Sequence, residues 1–506
     1  MPPATSTQRF PLYFGCNLGF LFLLAIGCVI GGSSNPRLVY LFLLFALCSA
    51  PVIDVDRLNG RFALLSIFMF VYFVSYGSVD LADVFMGIAR EADQSALTQS
   101  EGVILTGGVL WVLGYRVAVS VVKSRRVTVV PRDWPQQTTL LMGLILWAIG
   151  TYATYMWSVY IVPDTTNEAV RKGLKSIGTF AASANILGQM MQPLGLLLLA
   201  YALYAFHHRY LLPLVIGVVV LQVALGFVVD IKGMAMLGGI LVIVTCSLVT
   251  GRLPKAWLAA AVVFVIFVFP IFTAYRTAIH GDLGLARTAV IENFAKVLQL
   301  SIAAEDRVNK GRNRAQTFFE RASVKASVEV IVQGTDKGVA FQHGNTMTPI
   351  LAAFLPKIVW SDKPDVPTGQ LVNKEFHLNG GEDVYISPSH LGDLYWNFGW
   401  IGIIAGMSMI GLTCGYIGAR CDMTEAATVT RLLVLVLTIK QLIVSFEGAL
   451  GSTYVVWLRS LAAIGILHLL FARVPATACT LSRTGLGRPR STSVSPKGPS
   501  FGNLLN

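Results

Sequence analysis

Charge is what this sequence has least of. Only 13% of its 506 residues are Asp, Glu, Lys or Arg, while 54% are hydrophobic, and ordinary soluble domains are about 25% charged. That scarcity excludes an ordinary soluble enzyme. Acids are the scarcer sign, 27 against 39 Lys and Arg, leaving a net charge of +12 and a pI near 9.4. A surplus of this size points to nucleic acid only if it gathers where nucleic acid could bind. Cysteine is sparse too. The seven are Cys16, Cys28, Cys48, Cys246, Cys414, Cys421 and Cys479. All lie in expected helices, a short loop or the tail, with no CxxC pair, so neither a disulfide framework nor a zinc or redox motif is indicated. No small-residue cleavage site follows the first apolar run, which is therefore read as a retained helix rather than a signal peptide. The two halves do not duplicate one another, and many transporters would show such a repeat.

Long apolar runs are what the sequence has instead. A helix needs roughly 20 apolar residues to cross a bilayer, and twelve runs qualify: 12–30, 37–53, 61–79, 102–122, 137–162, 178–205, 211–229, 233–250, 256–275, 397–418, 432–449 and 453–472. The expected fold is an all-α integral membrane protein with about twelve transmembrane helices. Lys and Arg favour cytoplasmic loops. With the N-terminus inside, the cytoplasmic segments hold 17 basic and 5 acidic residues, which accounts for the whole +12. The surplus thus records orientation, with both termini cytoplasmic, and nucleic-acid binding loses its support. Four regions follow: helices one to nine over 1–275, a large extracytoplasmic loop over 276–396, helices ten to twelve over 397–473, and a basic Ser/Pro/Gly-rich tail over 474–506 expected to be disordered.

The loop breaks the helical pattern. It carries 13 basic and 13 acidic residues and His280, His343, His377 and His390, and a connection this long is usually functional or disordered. Apolar residues recur in it at helical spacing. Val290, Ile291, Phe294, Val297, Leu298 and Ile302 make one stripe, and Phe318, Phe319, Ala322 and Ala326 begin a second. These are expected to be core helices of an extracytoplasmic cap, or else one lies in the membrane interface. Between them runs the basic stretch Arg307, Lys310, Arg312 and Arg314, continued by Arg321 and Lys325. It reads as a solvated face, or as a site for an anionic ligand that would explain why it defies the positive-inside bias.

The second half of the loop reads Pro356-Lys357-Ile358-Val359-Trp360-Ser361-Asp362-Lys363-Pro364 and, later, Gly392-Asp393-Leu394-Tyr395-Trp396-Asn397-Phe398-Gly399-Trp400-Ile401-Gly402. These two segments, in this order, resemble bacterial oligosaccharide repeat-unit polymerases of the Wzy type, which serve O-antigen, capsule and exopolysaccharide assembly. The resemblance covers about a third of the chain. It departs from the commonest pattern at Lys357, Ser361 and Asp393, where Arg, Pro and Glu are frequent. It implies a GT-C-like glycosyltransferase of the bacterial inner membrane, its large loop periplasmic, moving a glycan from undecaprenyl diphosphate to the non-reducing end of a lipid-linked repeat unit. No cofactor or metal is expected, and a chain-length regulator and a flippase are candidate partners. An O-antigen ligase shares nearly all these features, and a multi-pass transporter is the alternative from another class.

Such chemistry needs positive charge on the leaving diphosphate and a base near the acceptor hydroxyl. Arg276, directly after the ninth run, is the first candidate clamp, followed by Arg287, Lys357 and Lys363, with Trp360 and Asp362 in the same motif as substrate-binding residues. Arg ranks above Lys for its bidentate grip. Arg459 in the last helix is a further cation, while Lys440 and Glu447, seven apart, suit an ion pair on one helix face. For the base, Asp393 and His390 sit three apart before the tenth run and are taken together as catalytic candidates, with His343 and Glu382 behind them. Asp54-Val55-Asp56 and His207-His208 are turn features. Gly402/Gly406 and Gly411/Gly415 are small-xxx-small pairs that read as close helix packing.

Overall fold

The computed structural model describes residues 6–31, 37–52, 64–86, 98–124, 133–156, 190–229, 232–251, 254–261, 323–351, 368–378, 386–423 and 427–472, with isolated residues 188, 264 and 299. Among them there are helices and no β-strand. The membrane helices are α1 (Ser6–Gly31), α2 (Leu38–Ser49), α3 (Leu64–Met86), α4 (Gln99–Ser124), α5 (Gln136–Met156), α6 (Met190–Ala205), α7 (Leu212–Val229) and α8 (Lys232–Thr250). From the long loop come α9 (Lys325–Asp336) and α10 (Thr368–Glu375). The C-terminal helices are α11 (Ser389–Gly402), α12 (Ser408–Arg420), α13 (Val429–Thr438) and α14 (Leu450–Phe471).

Among the described residues, seven stretches are long and apolar enough to cross a bilayer, counting α11 with α12 and α13 with its continuation to Glu447 as single spans. Four more apolar helices are shorter: Leu38–Ser49, Met190–Ala205, Leu212–Gly226 and Met236–Thr250. All twelve apolar runs therefore meet a helix where they are described, although 256–275 is described almost only over its first six residues. The chain is an all-α, multi-pass membrane protein. Large apolar side chains face outward, among them Val29, Phe70, Ile401 and Leu469, as a surface solvated by lipid requires. Inside, Phe68 stacks on Trp111 at 3.8 Å and meets Phe446 edge-on at 5.5 Å, tying α3, α4 and the end of the α13 span together.

One of the two glycine pairs, Gly411/Gly415, does what its spacing suggests, whereas Gly402 and Gly406 lie against Leu394 of the same span, across the break at Gly399. The helices α4 and α12 run parallel in contact, and a Cβ at Gly411 would come within 2.1 Å of the Trp111 carbonyl oxygen, one at Gly415 within 2.4 Å of that of Tyr115. Reciprocally, a Cβ on Gly114 would meet the Ser408 carbonyl oxygen at 2.3 Å. Backbone therefore lies on backbone along this seam, which only glycine permits.

Three expectations are corrected. The tenth span begins at Ser389 rather than 397, because the Ser389 hydroxyl accepts a hydrogen bond from Gly392 N at 3.2 Å and so caps a helix that starts inside the expected loop. Helix α11 breaks at Gly399, whose φ of 57° and ψ of −141° are non-helical, and continues through a π-turn at Ile403–Met407. Lys440 and Glu447 do not share one regular helix face. The helix passes through a π-turn at Ile439–Ile443 and then a 3-10 turn at Val444–Glu447, which removes the seven-residue repeat. Finally, Arg459, which the apolar run 453–472 puts near the outer end of the last helix, is not at its end: α14 begins at Leu450, placing Arg459 about 14 Å along it.

Candidate functional site

Two attachments join the described part of the loop to the bundle, both at the end where α3 finishes and α4 and α11 begin. The first is built on α9. Its apolar positions Val328, Ile331 and Val332 are fully buried, and a Cβ at Gly392 would fall 2.8 Å from Ile331, so α9 lies directly on α11. Val324 N and the Ser323 hydroxyl donate to the Ser75 carbonyl of α3 at 3.0 and 3.1 Å. This fixes the first turn of α9 against the membrane helices and carries Lys325 into the interior.

Lys325 is the last cation of the basic stretch, and it is not on a solvated face. Only 3% exposed, its ammonium donates to Asp80 Oδ2 at 2.6 Å and Glu101 Oε1 at 2.7 Å and lies 4.1 Å above the Tyr40 ring. Asp80 Oδ1 accepts from Arg37 at 2.8 Å. Glu101 Oε2 accepts from Thr98 N at 2.9 Å while Thr98 Oγ1 accepts from Glu101 N at 3.3 Å. This is a capping box at the start of α4, so one carboxylate both ends a helix and pairs the loop. Burial opposes the Arg37 charge, but Asp80 beside it, with Glu329 and Glu101 further off, outweighs that and raises its pKa. Next to this hub is a cavity of about 330 Å³. Arg37, Asp80, Ser323, Lys325 and Glu329 give it polar walls, and Val79 and Ala326 apolar ones.

The second attachment centres on Asp393, which is fully buried. Its Oδ1 accepts from the Thr346 hydroxyl at 2.6 Å and Asn397 Nδ2 at 3.0 Å, and its Oδ2 from Leu450 N at 2.8 Å. One carboxylate thus pins a loop turn to the start of α14, where unpaired helical N–H groups favour negative charge. Asn397 returns the contact, accepting from Gly344 N at 2.8 Å. His343 and His377 hold left-handed φ values of 48° and 51°, so these two histidines serve as turn residues, and both side chains are exposed.

His390 shares the first turn of α11 with Asp393 but none of its contacts. It is fully buried and packs edge-on against Phe446 at 4.7 Å, and neither ring nitrogen has a hydrogen-bond partner among the described residues. Its neighbour Ser389 accepts from the Tyr76 hydroxyl at 3.2 Å, and Tyr40 donates to the Tyr76 carbonyl at 3.0 Å, so hydrogen bonds connect the hub to the start of α11. The catalytic pair read from the sequence therefore separates, with Asp393 fully engaged by protein donors and His390 engaged by none among the described residues. Trp396 is buried against Phe376 and is core.

Arg276, Arg287, Lys357, Trp360, Asp362 and Lys363 lie outside the described residues, as do Glu382 and the stripe 290–302. The structure in turn brings together residues that the sequence does not single out: Arg37, Asp80, Glu101 and Glu329. Two signals point to them. Asp80 directly follows an apolar run, and Thr98-Gln99-Ser100-Glu101 spells a capping box before another. No family model, curated protein or solved structure matches this chain, so its function is argued from these two attachments and from the sequence.

Proposed function

We propose that this protein is a lipid-diphosphate-linked oligosaccharide polymerase. It transfers a glycan from undecaprenyl diphosphate to the non-reducing end of a second lipid-linked repeat unit by inverting, metal-independent displacement. One observation carries the reading beyond the sequence motifs: the loop packs onto the end of a membrane bundle through buried charges and leaves a polar cavity beside them. A lipid-linked substrate would present its diphosphate and sugars at that depth. The chain would have twelve spans in a GT-C-like arrangement in the bacterial inner membrane, with both termini cytoplasmic and the loop periplasmic.

In this mechanism Arg276, with Arg287, Lys357, Lys363 and Arg459 as further cations, holds the leaving diphosphate, while Trp360 and Asp362 complete the substrate contacts. Of the base candidates His390 is the better placed, since neither ring nitrogen has a hydrogen-bond partner among the described residues and a neutral imidazole nitrogen can accept a proton. Asp393 acts as a positioning residue. The donor and acceptor lipids, a chain-length regulator and a flippase are its expected partners.

Purified protein incubated with an undecaprenyl-diphosphate-linked repeat unit should give a product ladder without added metal, and His390→Ala should abolish it. Absence of any ladder, with unchanged glycan length in cells carrying Arg276→Ala, would overturn the proposal. Polymer stranded on the lipid carrier in cells lacking the protein would assign it instead as a ligase.

A further inference from the structure

The hub is nearly complete in itself. Each oxygen of Asp80 and of Glu101 has a donor within 2.9 Å, and Lys325 spends its ammonium on those two acids and the Tyr40 ring. With Arg37 these four groups sum to zero charge. Glu329 is the exception. One turn along α9 from Lys325, its carboxylate is 3.7 Å from that ammonium, beyond hydrogen-bonding distance, and its side chain is 25% exposed. It lines the cavity. Among the described residues the surplus charge of the site is thus a single negative one, projected by Glu329.

That arithmetic selects the ligand. A diphosphate would meet a wall whose cations are already paired and whose available group is an anion. A carboxylate with uncommitted lone pairs accepts charge-assisted hydrogen bonds from adjacent hydroxyls. Ser323, whose hydroxyl donates to the Ser75 carbonyl, lines the same cavity, and Val79 and Ala326 offer an apolar patch for a C–H face. At about 330 Å³ the volume is at the low end of the ~300–1,000 Å³ typical of small-molecule pockets, which suits one or two sugar rings rather than a chain.

We propose that this cavity is a saccharide subsite, in which Glu329 accepts hydrogen bonds from adjacent sugar hydroxyls and the diphosphate of the same lipid lies elsewhere. The proposal rests on the glycan-transfer reading and adds where the sugar end of a lipid-linked substrate is held. The test uses the full chain in nanodiscs and two probes: the pool of undecaprenyl-diphosphate-linked oligosaccharide extracted from cells carrying this protein, and bare undecaprenyl diphosphate. Glu329→Gln should weaken binding of the oligosaccharide-linked lipid roughly tenfold or more, the effect of one charge-assisted hydrogen bond. Ala326→Trp, at an exposed position, should fill the cavity and weaken it further. Neither should alter binding of the bare lipid, and an unchanged thermal midpoint will show that both variants fold. Wild-type affinity for the oligosaccharide-linked lipid in both variants would overturn the subsite, and equal weakening for both probes would make it an anion site instead. Stabilisation of the wild type by sodium, lost in Glu329→Gln with no change in lipid binding, would make it a cation site. A product ladder with wild-type binding in both variants would sink the subsite and leave the transferase reading standing. The expected binding pattern without any ladder would do the reverse.

Discussion

The two loop attachments treat buried charge in opposite ways. Around Asp393 a single carboxylate is sealed from solvent and every oxygen meets a protein donor. At the hub, four charges neutralise one another in the interior, and a fifth, Glu329, is left partly exposed on a cavity. A fully engaged buried carboxylate holds structure and has little capacity left for a substrate, whereas an incompletely paired one beside open volume retains it. The difference directs attention away from the acid in the most recognisable motif and toward one with no motif at all.

The largest test of this contrast is Lys325→Met. It removes the shared cation and leaves Asp80 and Glu101 buried without their partner, at a cost of about 3–5 kcal/mol, to be read from thermal or denaturant unfolding in detergent. Adding Asp80→Asn and Glu101→Gln should restore a large part of that loss, because the penalty lies in the uncompensated acids. If Lys325→Met costs less than Glu329→Gln, the hub is not the structural centre it is taken to be.

A smaller loss is expected at the sealed site. Asp393→Ala leaves Thr346 and Leu450 N without their acceptor, worth about 1–3 kcal/mol. Asp393→Asn should recover much of this, since an amide oxygen still accepts from Leu450 N and Thr346 can reverse its hydroxyl. Glycan length in cells then sharpens the comparison: a positioning Asp393 tolerates Asn, and a general base does not.

The sequence makes the membrane class legible because the signal is additive, some twenty apolar residues at a time, and needs no tertiary information. It makes the α4–α12 seam legible for a related reason: Gly411 and Gly415 fall one helical turn apart, so they share a face. The hub is not legible in that way. Arg37, Asp80, Glu101 and Lys325 are brought together from four segments, and a lysine at the end of a basic stretch looks identical whether it is solvated or buried. Asp393 reads as lying just before an apolar run, but the helix starts four residues ahead of it at Ser389, and its partners, Thr346 and the first N–H groups of α14, are 47 and 57 positions away. The break at Gly399 escaped as well, because glycine in an apolar run reads equally as packing or as a kink.

At the seam, where no charge is involved, Gly411→Ala should destabilise by about 1–3 kcal/mol, since its Cβ would meet the Trp111 carbonyl oxygen at 2.1 Å and backbone cannot move aside as a flexible side chain can. Gly19 of α1, where a Cβ meets nothing within 4 Å, is the matched control and should tolerate alanine. Equal unfolding midpoints for the two would remove the seam from the account.

The smallest effect expected is a pH dependence at Asp133, which precedes α5 and lies outside the spans. It accepts from Val429 N at 3.0 Å and Trp134 N at 2.8 Å and so joins the start of α13 to the α5 entry. Burial raises its pKa above the ordinary carboxylate value, with the Val429, Trp134 and Tyr201 hydrogen bonds opposing the shift. A raised folded-state pKa means the folded protein holds this proton more tightly than the unfolded chain. Its contribution is therefore fully present below the ordinary value near ~4 and is lost as pH rises through the raised one. Asp133→Asn keeps an oxygen for the backbone donors and has no proton to lose, so its unfolding midpoint should be flatter with pH across that window. The same slope in variant and wild type would mean that the hydrogen bonds cancel the effect of burial at this carboxylate.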